Sequence, residues 1–240
     1  MNACKLIGHR GFPQKYPENT LPGLKSALDL GADGVEFDVH LSRDGIPVLF
    51  HDESFDRTAD LAGSVRDTDA AEIAELSVHE PGRFGDKFYP TFASTLHAAS
   101  VSLKNYDALF FIEFKRKSLK TFTREVFLQS VLTASKSLAD KRILISFDWD
   151  ILNLAKSESS LPIGWVIEKY DRKTLKRIEK LLPDYVICNY KKLPYDSPLW
   201  VGDWQWFVYD IVDPVVARFW MERGVACIET WDIEALLSSK

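Results

Sequence analysis

Val35-Glu36-Phe37-Asp38-Val39-His40-Leu41, continued by Ser42-Arg43-Asp44-Gly45-Ile46-Pro47-Val48-Leu49-Phe50-His51-Asp52, is the stretch around which the chain is organised. From Val35 to Leu41 apolar and polar residues alternate, which is the period of a strand. That period sets Glu36, Asp38 and His40 on one face and Val35, Phe37, Val39 and Leu41 on the other. Asp44-Gly45 signals a two-residue hairpin loop, because both central positions of that turn need positive φ. With that loop Arg43 faces Ile46, facing residue numbers sum to 89, and Asp38 stands opposite His51. Cross-strand partners share a face, so two carboxylates and a histidine gather on one surface. Taken alone, the stretch is equally compatible with a half-exposed hairpin whose polar residues face water.

The rest of the chain decides between the two. Upstream, Cys4 to Gly8 is a short apolar run ending at His9-Arg10-Gly11. Thr20 or Asn19 is placed to cap a helix with Pro22 in its first turn and Gly31 at its end. Downstream, residues 52–90 are polar and irregular and too long for an ordinary loop, so they read as a small inserted lobe. A helix is expected from about 91 to 102, then Leu109 to Lys115 as a strand with Phe111, Glu113 and Lys115 on one face. Helices are expected at about 118–138, 149–158, 171–182, 214–223 and the C-terminus, alternating with further strands. Eight strands result, near 4–9, 34–39, 109–115, 142–147, 163–167, 184–188, 206–210 and 225–229. That order and length define an α/β fold, a (β/α)8 TIM barrel with a small insertion after the hairpin of the second strand. A doubly wound open sheet is disfavoured, since no Gly-rich phosphate loop follows the first strand. The link at 189–205 is poor in helix signals.

Composition is that of one large domain spanning 1–240, with 46% apolar and 27% charged residues. A net charge of −5 and the lack of a Lys/Arg run argue against a nucleic-acid partner. Cys4, Cys188 and Cys227 form no CxxC pattern and read as buried reduced thiols. Residues 1–8 hold no basic region before a long apolar core, and no run reaches the length of a membrane span. A cytoplasmic chain without stable membrane insertion is therefore expected.

In a barrel of this type chemistry sits at the C-terminal ends of the strands, and the polar residues fall there. His9-Arg10 ends the first strand, Glu36 and Asp38 lie on the second, and Glu113 with Lys115 ends the third. Three carboxylates at one mouth repel each other unless a cation joins them. Oxygen ligands without cysteine favour a hard divalent ion, Mg2+ or Ca2+. Two histidines beside such an ion, with Arg10 and Lys115 at the rim, suit displacement at phosphorus, one imidazole taking a proton and the other giving one.

His9-Arg10-Gly11, Pro17-Glu18-Asn19-Thr20, Glu36-x-Asp38, His51-Asp52, Arg57-Thr58 and Glu113-x-Lys115 together resemble the glycerophosphodiester phosphodiesterase family, in order and at family-like spacing, from residue 7 to about 115. The resemblance implies a barrel that hydrolyses a small-molecule glycerophosphodiester to sn-glycerol 3-phosphate and an alcohol. It implies His9 and His51 as the acid–base pair, Glu36, Asp38 and Glu113 as ligands of the divalent ion, and Arg10 and Lys115 on the phosphate. Glu18 and Asn19 would hold the His9 loop from behind. Lys115 as a plain salt-bridge partner of Glu113 is the other reading of that residue. The C-terminal third departs from the family at Tyr209-Asp210-Ile211-Val212 and at Thr230-Trp231, rim positions expected to shape the substrate subsite. His40 is expected to face solvent, His79 and His97 receive no role, and Arg57 and Thr58 are expected to brace the insert. Trp200, Trp204, Trp206 and Phe207 read as core and loop anchors, or else as a lipid- or alcohol-facing edge. The competing functions are a lysophospholipase D-like or phospholipase-like activity, and a catalytically silent phosphodiester-binding barrel.

Overall fold

The computed structural model describes residues 4–59 and 61–239. Within them nine strands run as β1 (Lys5–Gly8), β2 (Gly34–Leu41), β3 (Pro47–Leu49), β4 (Leu109–Phe114), β5 (Arg142–Ser146), β6 (Ile163–Val166), β7 (Tyr185–Asn189), β8 (Gln205–Tyr209) and β9 (Cys227–Thr230). All except β3 are parallel neighbours in the order β1-β9-β8-β7-β6-β5-β4-β2, and β1 also pairs with β2. The sheet therefore closes on itself into an eight-stranded barrel, the expected (β/α)8 fold. β3 adds antiparallel to β2 as the returning arm of the hairpin.

Alternation along the strands sorts the core into two shells. Inward residues such as Ile7, Phe111, Ile145, Ile187 and Phe207 fill the barrel, while outward residues such as Phe37, Phe110, Leu144 and Val208 pack under the helices. Thr20 caps the first helix, Leu21–Asp29, with its side chain accepting from the Gly23 N–H, and Gly31 follows at φ 98°.

Several expected boundaries shift. The helix placed at 91–102 begins only at Leu96, behind the Thr95 cap, and ends at Leu103. The long helix placed at 118–138 is broken into a 3-10 turn (Arg116–Lys120), a helix capped by Thr123 (Arg124–Ala134) and a second 3-10 segment (Lys136–Lys141). Thr123 starts the middle piece by accepting the Val126 N–H, and Ser135 closes it by donating its hydroxyl to the Val131 carbonyl, which competes with continuation of the helix. Between β7 and β8 a single 3-10 turn (Tyr190–Lys192) replaces the helix. Trp200 stacks on Tyr170 at 3.7 Å there, and the Trp206 indole donates to the Trp200 carbonyl.

The hairpin register also differs by one. Val39 faces Leu49 and His40 faces Val48, so facing numbers sum to 88 and Asp38 stands opposite Phe50, whose N–H donates to the Asp38 carbonyl. The loop has three residues, with Gly45 at φ 76°. Ser42 fixes it, its hydroxyl donating to Asp44 and accepting from the Ile46 N–H. Past Leu49 the chain enters a segment of short helices with an apolar cluster of its own, built on Phe50, Phe55, Val65, Ile73 and Val78.

Candidate active site

The C-terminal mouth of the barrel holds a cavity of about 310 Å³. His9, Arg10, Glu36, His51, Glu113 and Lys115 line it, together with Phe147, Tyr209, Asp210, Glu229 and Trp231. A larger cavity of about 530 Å³ is bounded by the Trp-rich strap at Trp200 and by Gly224, on the side where β8 and β9 begin, away from this chemistry.

His9 and Arg10 leave the end of β1 on a sharp turn, with Arg10 at φ 52°. The Arg10 N–H donates to Glu36 Oε2 at 3.1 Å, and its guanidinium reaches Glu18 at 3.0 Å and Asp38 at 3.1 Å. Burial works against that charge, but Asp38, Glu18 and Glu36 outweigh it and hold Arg10 more firmly protonated than usual. Asn19, also left-handed at φ 54°, clasps Asp38 twice: its amide donates to Oδ2 and its carbonyl oxygen accepts the Asp38 N–H. Glu18 is gripped by Arg10 and by Arg57 from the inserted segment.

Asp38 lies at the centre of this charge. Burial alone raises a carboxyl, yet the Lys115 and Arg10 charges overcome it and keep Asp38 ionised well below the usual range. The Lys115 ammonium bridges Asp38 at 2.9 Å and Glu113 at 3.0 Å, and both raise its own pKa against the effect of burial. Glu36 and Glu113 go the other way, pushed up first by burial; at Glu36 the charges of Asp38 and Glu229 add to it.

His9 is buried, with Nε2 3.9 Å from Glu36 and Nδ1 3.8 Å from Asp210, and the Trp231 ring meets it edge-on. Burial, and next the Arg10 charge, press its pKa well below the ordinary histidine value. His51 is partly exposed and donates from Nδ1 to Asp52 at 2.7 Å, which leaves Nε2 for proton exchange.

His40 is the clear correction among the histidines. Expected in solvent, it is 2% exposed, because the turn at Arg116–Lys120 folds over it. Ser118 Oγ accepts the Leu41 N–H and pairs with His40 Nδ1 at 3.0 Å, while His40 Nε2 pairs with the His51 carbonyl at 3.1 Å. A carbonyl only accepts, so His40 carries its proton on Nε2 and Ser118 donates to Nδ1. Burial lowers its pKa to about 4, in keeping with a neutral ring.

Glu36, Asp38 and Glu113 bring ligand oxygens within 4.8 Å of one another, and Glu36 Oε1 is buried without a hydrogen-bond partner. Three carboxylates so arranged, two of them buried, fit a hard divalent cation. Two more acids stand at the mouth: Glu229, to which the sequence assigns no role, and Asp210, which it marks only as one of the divergent rim positions. Glu229, on β9, is 5% exposed and pushed well above the carboxylate range by burial and by Asp210; its oxygen, with His9 and Glu36, forms a second such group. Asp210, at φ 68°, accepts from the Asn189 amide at 2.6 Å. A charged residue closing the apolar run of β9 is the same signal that marked Glu113 on β4.

Residues 9–197 match the glycerophosphoryl diester phosphodiesterase family, and the chain belongs to that family. It is 41% identical over 110 residues to a glycerophosphodiester phosphodiesterase of Caldanaerobacter subterraneus, a match covering 46% of this chain and 44% of that one. With human glycerophosphodiester phosphodiesterase 1 it shares 37% identity over 109 residues, 45% of this chain and 33% of that protein. The chain thus spans less than half the length of these relatives. Among solved structures, an Oleispira antarctica phosphodiesterase in complex with the product sn-glycerol 3-phosphate superposes with a TM-score of 0.88 at 24% identity, covering 99% of this chain and 96% of that one. A Thermotoga maritima glycerophosphodiester phosphodiesterase matches over the full length of both chains, with a TM-score of 0.77 at 26% identity. No helix among the described residues is long and apolar enough to cross a membrane.

Proposed function

We propose that the chain hydrolyses glycerophosphodiesters to sn-glycerol 3-phosphate and an alcohol, with His9 and His51 as the acid–base pair. The observation that carries this reading is the convergence of two imidazoles, Glu36, Glu113 and two cations on one cavity of about 310 Å³, with Asp38 buried directly behind Lys115 and Arg10. Glu36, Asp38 and Glu113 would hold one divalent ion, Mg2+ or Ca2+, which when bound supplies positive charge to the non-bridging phosphate oxygens. Arg10 and Lys115 offer charged N–H donors to the same oxygens. As the attacking oxygen bonds to phosphorus, one imidazole takes its proton. The other gives a proton to the leaving alcohol oxygen as the P–O bond breaks. Asp52, accepting from His51 Nδ1, fixes the tautomer that this exchange needs. The product held by the Oleispira relative supports the same bond cleavage here.

Soluble diesters such as glycerophosphocholine and glycerophosphoethanolamine are the preferred substrates, ahead of lysophospholipids. Release of sn-glycerol 3-phosphate over a headgroup panel, with and without chelator, tests the reading. Chelation should abolish release and Mg2+ or Ca2+ restore it. Full turnover in metal-free protein would overturn the role of the ion, and faster headgroup release from lysophospholipid micelles would favour the lipid-directed activity.

A further inference from the structure

Beside the active-site mouth, across Phe147 and Val166 that line both, lies a second groove of about 310 Å³. It opens among the segments that follow β4, β5 and β6, the functional end of the barrel. Four cations border it: Arg116, Lys169, Lys173 and Arg177. Arg177 is held over two indoles, 5.0 Å from the Trp165 ring centre and 5.4 Å from that of Trp149. Arg116 lies 5.0 Å over Phe147 and is braced by Glu168 at 2.8 Å. Of the two acids at the groove, Glu168 is engaged with Arg116, and Asp171 accepts the Thr174 N–H as a helix cap. Among the described residues Lys169, Lys173 and Arg177 form no salt bridge, although the chain as a whole is acidic at −5.

We propose that this groove is a subsite for a second anionic group, a phosphate monoester, carried by the alcohol half of the substrate. The inference rests on the proposed diesterase activity. In that substrate the glycerol half carries only hydroxyls, so an anion selected beside the site belongs to the alcohol. Guanidinium groups already set against aromatic rings lose little freedom on meeting a phosphate, which is what a subsite requires. Unpaired lysines at the rim add attraction that salt weakens.

The test compares sn-glycero-3-phosphoinositol with its 4-phosphate, the same alcohol without and with the extra anion, in wild type, Lys169→Glu/Lys173→Glu and Arg177→Gln. At low salt the wild type should favour the phosphorylated diester by at least about tenfold in kcat/KM, the ratio that one charge-assisted contact gives. Both variants should bring the ratio towards one while leaving turnover of the unphosphorylated diester unchanged. Equal kcat/KM for the two diesters in wild type, or a preference that survives both variants, would overturn the subsite. Calorimetric binding of the 4-phosphate separates this from the activity itself. If wild type turns over no diester, the proposed activity fails; the groove stands if the variants bind more weakly and falls if they bind equally.

Discussion

At His51 the side chain and the main chain have different keepers. Asp52 holds Nδ1, and His40, itself held by Ser118, holds the carbonyl. On the proposed mechanism, loss of the His9 or the His51 imidazole should lower kcat by about 10² to 10⁴, the usual worth of general acid–base help. His9→Ala combined with His51→Ala should be little worse than the poorer single variant, since both act on one transition state. Steady-state kinetics on the three variants check this, and a single variant retaining more than about a tenth of the rate would remove the assignment. The same hydrogen bonds make His40→Ala costly rather than silent. Losing a buried donor of about 1 kcal/mol should cut kcat roughly fivefold and lower the melting temperature. His40→Gln, which keeps an N–H donor on a side chain of similar reach, should recover part of both. Unchanged kcat in His40→Ala would show that the His51 backbone needs no such anchor.

The barrel strands are where the sequence is most legible, because residues buried on both faces leave apolar runs, and the acids that interrupt them fall towards the mouth. Leu109 to Phe114 shows this, with Glu113 alone breaking the run. What local pattern cannot resolve is how a side chain competes with a turn. Asp44-Gly45 reads as a two-residue loop, but the Ser42 hydroxyl satisfies the Ile46 N–H and makes the loop one residue longer. His51 still reaches the mouth because it lies beyond the end of β3, where register no longer dictates its face. Burial of His40 depends on a turn some 78 residues away, and no period in the β2 sequence could report it. Glu229 was legible by the Glu113 rule, whereas the approach of Asp210 to His9 follows from a left-handed backbone at a non-glycine residue. Inside the barrel, Gly164 on β6 is fixed by its neighbours: an added Cβ would lie 2.8 Å from Ile187 and 2.9 Å from Ile145. Gly164→Ala should destabilise by about 1–3 kcal/mol through overpacking, measured by denaturant unfolding. A midpoint equal to wild type would mean that this layer can yield.

Over the whole molecule, buried acids that must stay neutral set the alkaline limit. Burial pushes the Cys188 thiol from 9.0 up to about 12 and the Tyr185 phenol from 10.0 up to about 12. Both folded values lie above the unfolded ones, so the stability is complete below about pH 9 and is lost as pH rises towards 12. Melting temperatures measured from pH 8 to 11 should decline over that range, and Cys188 and Cys227, both fully buried, should resist a thiol reagent until the fold opens. A flat profile, or rapid labelling of the native chain, would contradict this. The inserted segment bears on a different kind of opening. Its apolar cluster is separate from that of the barrel, yet Arg57 and Glu80 reach from it to the side chain and N–H of Glu18, and His51 stands at its entrance. Parts of a protein with separate cores come apart with separate free energies. Warming should therefore release this segment as a unit of its own, exchanging its amide hydrogens early and freeing the grips on both histidine loops. The proposed hydrolysis would then stop at a temperature where the barrel is still intact, and would resume at once on cooling.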